Sequence, residues 1–311
     1  MKVLIYGDSM LDVSINGRVD RISPEAPVPI LLQRSQKYSI GGAANVAQCL
    51  QALGVTVTLV TCVGNDKHGT DLRKLAESHG IIFKCIPIEN AQTTVKTRFW
   101  SSNQQLFRFD QEQPISIQNI NPDNIVGVVD PLDFDLIAFS DYGKGFITSE
   151  LISRVCQMVD GRIPLVCDPK GSDASKYQNI FSITPNFKEA LVLCGLPLSS
   201  NTLDRVLLLK MLQKFRDDYH IAFPIITLAE HGIAYFLDDE LFIQKTLETQ
   251  LADPTGAGDT ALAALSYGLC NGYPISKAVK YACAASSFTV THVGTGPCPL
   301  LEMESRYLQL C

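Results

Sequence analysis

The chain has 311 residues, 46% of them hydrophobic, enough to bury a large core as one big α/β domain or two smaller ones. A formal net charge of -6 excludes a surface built to grip nucleic acid, so any anion site must be local. No apolar run is long enough to cross a bilayer, and Met-Lys-Val-Leu-Ile-Tyr-Gly-Asp is too short in apolar residues for a secretory signal, so a cytoplasmic protein is expected.

Val3–Tyr6 is a short apolar run ended by Gly7-Asp8, the pattern of a buried parallel strand. Asp8 and Asp12 are expected just past its carboxyl end, where ligands gather in open α/β sheets. In Asp20-Arg-Ile-Ser-Pro-Glu-Ala-Pro-Val-Pro-Ile-Leu-Leu-Gln33 three prolines forbid a helix and a central strand, which leaves extended edge structure. Residues 40–54 read as a helix with a Gly41-Gly42 start and a Gly54 stop, and Asn45 falls in its first turn rather than deep in the core. Thr56–Val63 is a β-branched strand and Lys67–His79 a polar-faced helix. Gly64-Asn-Asp-Lys-His-Gly-Thr has phosphate-loop glycine spacing without the lysine, and reads as a turn.

Residues 93–110 predict a β-hairpin turning near Ser101–Asn103, with Lys96 and Arg98 on one face and Val95, Thr97 and Phe99 on the other. With Val28–Gln33 it forms a small sheet apart from the alternating core, a lid over about 13–39 and 93–110 whose apolar face needs cover. Beyond a polar connection over 111–124, strands at 136–140, 164–168, 181–184 and 224–228 alternate with helices at 148–160, 186–194 and 203–219. That alternation predicts a mostly parallel sheet with helices on both faces. A hairpin at 233–245 and helices at 276–292 and 300–310 complete the chain. The 10 cysteines have no Cys-x-x-Cys pair, and most lie in apolar segments, so neither a disulfide framework nor zinc is expected.

Asp253-Pro-Thr-Gly-Ala-Gly-Asp-Thr260 runs straight into an apolar helical segment. A helix starting near Ala257 aims its unpaired N–H groups and its positive dipole end outward. Gly256 and Gly258 let a phosphoryl group approach the backbone. Asp259 inside such an anion site either caps the helix or accepts a proton from an alcohol attacking phosphorus. Ser140-Asp-Tyr-Gly-Lys-Gly145, Asp168-Pro-Lys-Gly-Ser-Asp173, Thr184-Pro-Asn-Phe-Lys-Glu189 and Thr227-Leu-Ala-Glu-His-Gly232 each follow a strand. A parallel sheet brings all four to one rim with Asp8, Asp12 and Asp259. Singly they are ordinary turns, and Asn186 with Glu189 has capping-box spacing.

Together these residues resemble the ribokinase-like (PfkB-type) sugar kinases over nearly the whole chain. Asp253–Asp259 is similar to that family's C-terminal signature, Gly41-Gly-Ala-Ala-Asn45 to its N-terminal one, and Asn186-x-x-Glu189 to its magnesium–phosphate motif. Arg21-Ile-Ser-Pro-Glu-Ala-Pro-Val-Pro29, Asn103-Gln-Gln-Leu106, Ser140-Asp-Tyr142 with Lys144-Gly145, and Asp168-Pro-Lys-Gly171 resemble one branch, the D-glycero-β-D-manno-heptose 7-phosphate kinases of lipopolysaccharide heptose synthesis. The resemblance implies a doubly wound ribokinase-like α/β fold with a small β-sheet lid, read here as one kinase domain over residues 1–311 without an adenylyltransferase domain.

It further implies that Asp259 is the general base and that backbone N–H groups of Gly256, Ala257 and Gly258 hold the transferred phosphoryl. Asp12, Gly41, Gly42, Asn45 and Asp141 would contact the sugar. Asn186, Glu189, Thr227, Gly232, Gly256 and Gly258 would bind ATP, with Glu189 ordering Mg2+ through water. The sugar's remote phosphate needs local cations, for which Arg98, Arg108, Lys144 and Lys170 are candidates. A homodimer through the lid and a separate downstream adenylyltransferase are the expected partners. The alternatives are a kinase for another sugar, such as fructose 6-phosphate or ribose, and a non-catalytic sugar or nucleotide sensor. No strand is followed by Gly-x-Gly-x-x-Gly, which disfavours a dinucleotide-dependent dehydrogenase.

Overall fold

A computed structural model describes residues 1–88, 91–102, 104–113, 117, 120–198, 204–237 and 240–311. The first half contains β1 (Lys2–Gly7), β2 (Ser9–Ile22), β3 (Pro29–Gly42), α1 (Ala43–Ala52), β4 (Thr56–Gly64), α2 (Lys67–Ser78), β5 (Ile82–Ile88), β6 (Val95–Ser101), β7 (Gln104–Gln111) and α3 (Pro122–Val126). Then come β8 (Leu136–Ser140), α4 (Ser149–Val159), β9 (Leu165–Asp168), β10 (Ser182–Ile183), α5 (Phe187–Leu193), α6 (Arg205–Tyr219) and β11 (Phe223–Thr227). The chain closes with β12 (Ile233–Leu237), β13 (Glu240–Gln244), α7 (Ala257–Cys270), α8 (Ile275–Thr289) and α9 (Leu300–Gln309).

The main sheet has nine strands in the order β13-β12-β11-β10-β9-β8-β1-β4-β5. All are parallel except the β11-β12-β13 end. Residues on the central strands are apolar on both faces because helices cover both. Leu4, Tyr6, Ile137 and Phe139 pack toward α4, α5 and α6, while Val3, Ile5, Leu136 and Ala138 pack toward α1, α7 and α8. The chain winds outward in opposite directions from β1, through β4 on one side and β8 on the other. The carboxyl ends of β1 and β8 are therefore the switch point at which such sheets open a crevice.

A second sheet has the order β3-β2-β6-β7 and stands over that crevice. It begins further back than the sequence predicts, because β2 runs from Ser9 and takes Asp12 into a strand rather than a loop. The proline-rich stretch is likewise divided: β2 ends at Ile22, a turn closed by Ser23 N–H on the Val28 carbonyl (2.9 Å) follows, and β3 starts at Pro29. Asp12, Lys96 and Asp110 lie side by side across β2, β6 and β7, next to the Ser14, Arg98, Arg108 row. The opposite face is apolar, with Phe99 stacked on Phe107 at 4.4 Å. Asn103, the last residue of the turn expected near Ser101–Asn103 and the first of the Asn103–Leu106 resemblance, lies outside the described residues, as does Leu203. No described helix is long and apolar enough to cross a membrane.

Candidate active site

The crevice forms because the chain leaves the core at glycines. Gly42 precedes α1 with φ 62° and ψ -138°, a backbone region open to glycine almost alone. A Cβ there would lie 2.4 Å from the Asp8 carbonyl oxygen, which accepts the Ala43 N–H at 2.9 Å. This turn seats α1 directly behind β1, so that Asn45 in its first turn points at α7. Asn45 is fully buried, deeper than its place near a helix start implies.

Gly256, in the left-handed conformation with φ 82°, starts α7 without a side-chain cap. Asp253 orders the preceding loop, since its carboxylate accepts from Thr255 N–H (2.9 Å), Thr255 hydroxyl (2.6 Å) and Gly294 N–H (2.9 Å). Those bonds hold its carboxyl below the usual carboxylate range despite partial burial. Ala257 N–H reaches the Pro254 carbonyl at 3.3 Å, so of the three expected anion donors this one is already engaged in a turn. Thr260 hydroxyl donates to the Gly256 carbonyl at 3.0 Å and tightens the first turn.

Asp259 is 4% exposed. Asn45 Nδ2 donates to Oδ2 at 2.7 Å and Tyr142 Oη donates to Oδ1 at 2.5 Å. Burial pushes its carboxyl up to about 6, opposed by those two hydrogen bonds; the charge of Asp12 raises it further and Lys96 lowers it. A carboxylate near that value is ionised at neutral pH yet basic enough to take a proton. Asn45 Oδ1 has no hydrogen-bond partner, leaving a buried acceptor open beside the Asp259 carboxylate.

The small sheet closes the other side. Asp12 is paired with Arg98 at 2.6 Å, and a Cβ at Gly41 would strike Asp12 Oδ2 at 2.5 Å. A side chain at position 41 would therefore displace that carboxylate. Lys96 Nζ lies 5.7 Å from the centre of the Tyr142 ring, and burial lowers the Lys96 ammonium. Lys144 is paired with Glu112 at 2.5 Å. Arg108 is half exposed and paired with Asp110 at 2.8 Å.

Two of the expected site residues are engaged by neighbouring side chains. Asp141 is almost fully buried, with Oδ1 accepting Gly143 N–H (2.8 Å) and Oδ2 taken by Tyr177 Oη (2.6 Å) and Lys176. It braces the rim, with both oxygens engaged by neighbouring groups. Lys170 pairs with Glu189 at 2.7 Å, in the first turn of α5, with its side chain beside Gly143 of the rim loop.

The Asn186 side chain and Glu189 form a capping box at the start of α5, and Asn186 bridges to Thr227. Thr227, Gly232, Ala257 and Gly258 line a cavity of about 470 Å3 that runs from the α7 mouth toward Leu251 and Val290. Asp168, at the end of β9, accepts from Thr184 hydroxyl at 3.1 Å. Burial, then the nearby charges of Glu189 and Asp259, raise its carboxyl well above normal. Among the described residues no group of three His, Cys, Asp or Glu side chains gathers as a metal site. An oxygen-rich pair such as Asp168 and Glu189 suits Mg2+, which keeps most of its waters and binds through few carboxylates and substrate phosphates. Both Glu189 oxygens are already engaged, by Asn186 N–H and Lys170, so contact through water fits that residue.

Tyr142, Lys96 and Asp168 were not assigned roles from the sequence. Each carries a signal of a kind: a large phenol in a run of small turn residues, a lysine sharing a strand face with Arg98, and a carboxylate ending a core strand.

The pfkB family carbohydrate kinase model matches residues 1–302. Bifunctional protein HldE of Campylobacter curvus is 36% identical over 309 residues, covering 98% of this chain and 64% of the relative. Bifunctional protein HldE of Helicobacter hepaticus is 37% identical over 300 residues, covering 94% and 61%. The chain thus spans less than two thirds of these relatives. Among solved structures, Escherichia coli phosphofructokinase-2 in complex with potassium superposes with a TM-score of 0.79 at 19% identity, covering 99% of this chain and 98% of that one. Thermotoga maritima ribokinase gives 0.74 at 19% identity, with 99% of both chains covered. The fold is ribokinase-like.

Proposed function

The chain belongs to the pfkB family of carbohydrate kinases, phosphotransferases with a sugar alcohol as acceptor, and from that premise we propose that it phosphorylates the anomeric hydroxyl of D-glycero-β-D-manno-heptose 7-phosphate with ATP. The observation that carries the reading is the position of Asp259, buried between a glycine-lined helix mouth and the charged face of the small sheet. Asp259 takes the proton of the sugar hydroxyl as the hydroxyl oxygen forms its bond to the γ-phosphorus. The bond from that phosphorus to the bridging oxygen breaks, and ADP leaves with the electron pair. Backbone donors at Gly256 and Gly258 face the transferred phosphoryl, and Asn45 Oδ1 and the Asp12 carboxylate accept sugar hydroxyls. Asn186, Thr227 and Gly232 border ATP. Glu189, through water, and Asp168 would hold Mg2+, which would supply charge neutralisation on the phosphates.

The heptose assignment rests on the Arg21–Pro29, Ser140–Gly145 and Asp168–Gly171 stretches and on the HldE relatives. Of the cations proposed for the remote phosphate, Arg98 and Lys144 belong to this face, with Arg108 at its edge. The acidic partners Asp12 and Glu112 hold two of them ready without a ligand. Ten free thiols fit a reducing, cytoplasmic setting, and adenylyl transfer to the product falls to another catalytic module. An ADP-release panel with heptose 7-phosphate, fructose 6-phosphate, ribose and adenosine tests the substrate. Preference for heptose 7-phosphate is expected; preference for another sugar would replace the acceptor while keeping the kinase.

The lid belongs to the same proposal as a dimer contact. Phe107 and Phe109 are 54% and 52% exposed on its apolar face, and a second copy supplies the cover. Changing both to lysine is expected to yield a monomer by sedimentation and to raise the sugar KM at least about tenfold, the equivalent of 1.4 kcal/mol. A variant that stays dimeric would contradict the contact.

A further inference from the structure

The rim loop after β8 is held unusually firmly for a turn. Asp8 accepts three of its N–H groups, from Tyr142 (2.8 Å), Lys144 (3.2 Å) and Phe146 (3.2 Å). The clamp fixes the backbone of Tyr142, whose ring lies under Lys96 of β6 and whose hydroxyl meets Asp259. Burial and the neighbouring charge of Asp259 raise the Tyr142 phenol well above its ordinary value, so it remains a donor throughout the working pH range.

We propose that Tyr142, clamped by Asp8 and covered by Lys96, is a positioning residue that fixes the Asp259 carboxylate and stabilises its charged form, thereby tying the base to the small sheet. This inference rests on the reading of Asp259 as the base. The hydrogen bond leaves Oδ1 with one donor, and Asn45 gives Oδ2 another, so the carboxyl plane is set by two elements remote in sequence. The groups facing Asp259 are Asn45 and Cys49 from α1, Tyr142 from the rim, Lys96 and Asp12 from the small sheet, and Asp168 from β9. Asp12 opposes its ionisation, while the charge of Asp259 opposes that of Asp168. Tyr142 and Asn45 favour it by hydrogen bonding and Lys96 by charge, and Cys49 stays a neutral thiol because burial raises it to about 12.

Tyr142→Phe keeps the ring beneath Lys96 and removes only the donor. Two readouts apply: carboxyl-carbon NMR of aspartate-labelled protein, with the Asp259 signal assigned by its loss in Asp259→Asn, and the pH profile of kcat. The Asp259 midpoint is expected to rise. Turnover should fall about fivefold at pH near 6, approach a tenfold loss at lower pH, and return to within about threefold of wild type at pH near 9, as one pH unit of displacement requires. Lys96→Met should move the midpoint in the same direction, and it provides the test if Tyr142→Phe does not fold. An unmoved or lowered midpoint, or a loss equal at all pH values, would overturn the role given to Tyr142. Because the NMR titration needs no substrate, it separates that failure from a failure of the base assignment, which would appear as full activity in Asp259→Asn.

Discussion

Replacing Asp259 with asparagine is expected to lower turnover by about two to four orders of magnitude, the usual contribution of a positioned base. The fold should persist for a local reason. Asn45 presents an amide nitrogen to Asp259 and leaves its own Oδ1 unpartnered. A flip of that amide would let it accept from the new side chain, while Tyr142 continues to donate to the remaining oxygen. Stability should move in the opposite direction to activity. Burial raises the Asp259 carboxyl from 3.8 to about 6, so the folded state binds its proton more tightly than the unfolded chain does. The wild type therefore loses stability as pH rises between those two values, by up to about 3 kcal/mol. A neutral amide escapes that loss. Calorimetry should show a higher melting temperature for the variant at pH near 8 and little difference at pH near 4. Turnover within about threefold of wild type would remove Asp259 from the chemistry.

Gly42→Ala is expected to destabilise the protein by about 2–5 kcal/mol, combining backbone strain with overpacking. The φ of 62° and ψ of -138° at this position exclude an L side chain, and the added Cβ would meet the Asp8 carbonyl oxygen at 2.4 Å. Relief requires moving either β1 or the start of α1. Both position site residues, Asp8 directly after β1 and Asn45 on α1. Sugar affinity should therefore fall together with the denaturation midpoint, whereas Gly54→Ala, strained by φ 80° but with open space around its Cβ and remote from the crevice, should cost stability alone. Normal sugar affinity in a destabilised Gly42→Ala protein would show that this turn does not set the position of Asn45.

The features legible in the sequence were those fixed by local chemistry. Apolar runs ending in Gly-Asp or Ser-Asp mark β1 and β8, and the glycines around Asp259 mark the α7 mouth whatever the rest of the chain does. Asn186 and Glu189 form the capping box that their spacing requires. β5 escaped notice because Ile82–Ile88 contains Lys84 and Pro87, which dilute the strand pattern; the strand lies at the sheet edge, where proline is tolerated. The start of β2 was legible, since Leu11–Asn16 alternates apolar and polar strictly; what no local pattern gives is its pairing with β6, more than 80 residues away (Leu11 opposite Val95). Tyr142 stands in the sequence as part of a turn and of the Ser140–Gly145 resemblance, with no role of its own. Its role depends on contacts with Asp259, 117 positions later, and with Lys96 on another sheet, and no local pattern encodes either. Asp141 illustrates the opposite error: a carboxylate at a strand end belongs to the site's frame when a buried tyrosine and a lysine claim its oxygens.

Phosphorus NMR of the protein incubated with ATP, Mg2+ and D-glycero-β-D-manno-heptose 7-phosphate tests the central claim most directly. A new anomeric phosphate resonance, growing in step with ADP and absent when Asp259→Asn is used, is the predicted result. ADP accumulating with inorganic phosphate alone, or the same resonance formed at the same rate by the variant, would contradict it.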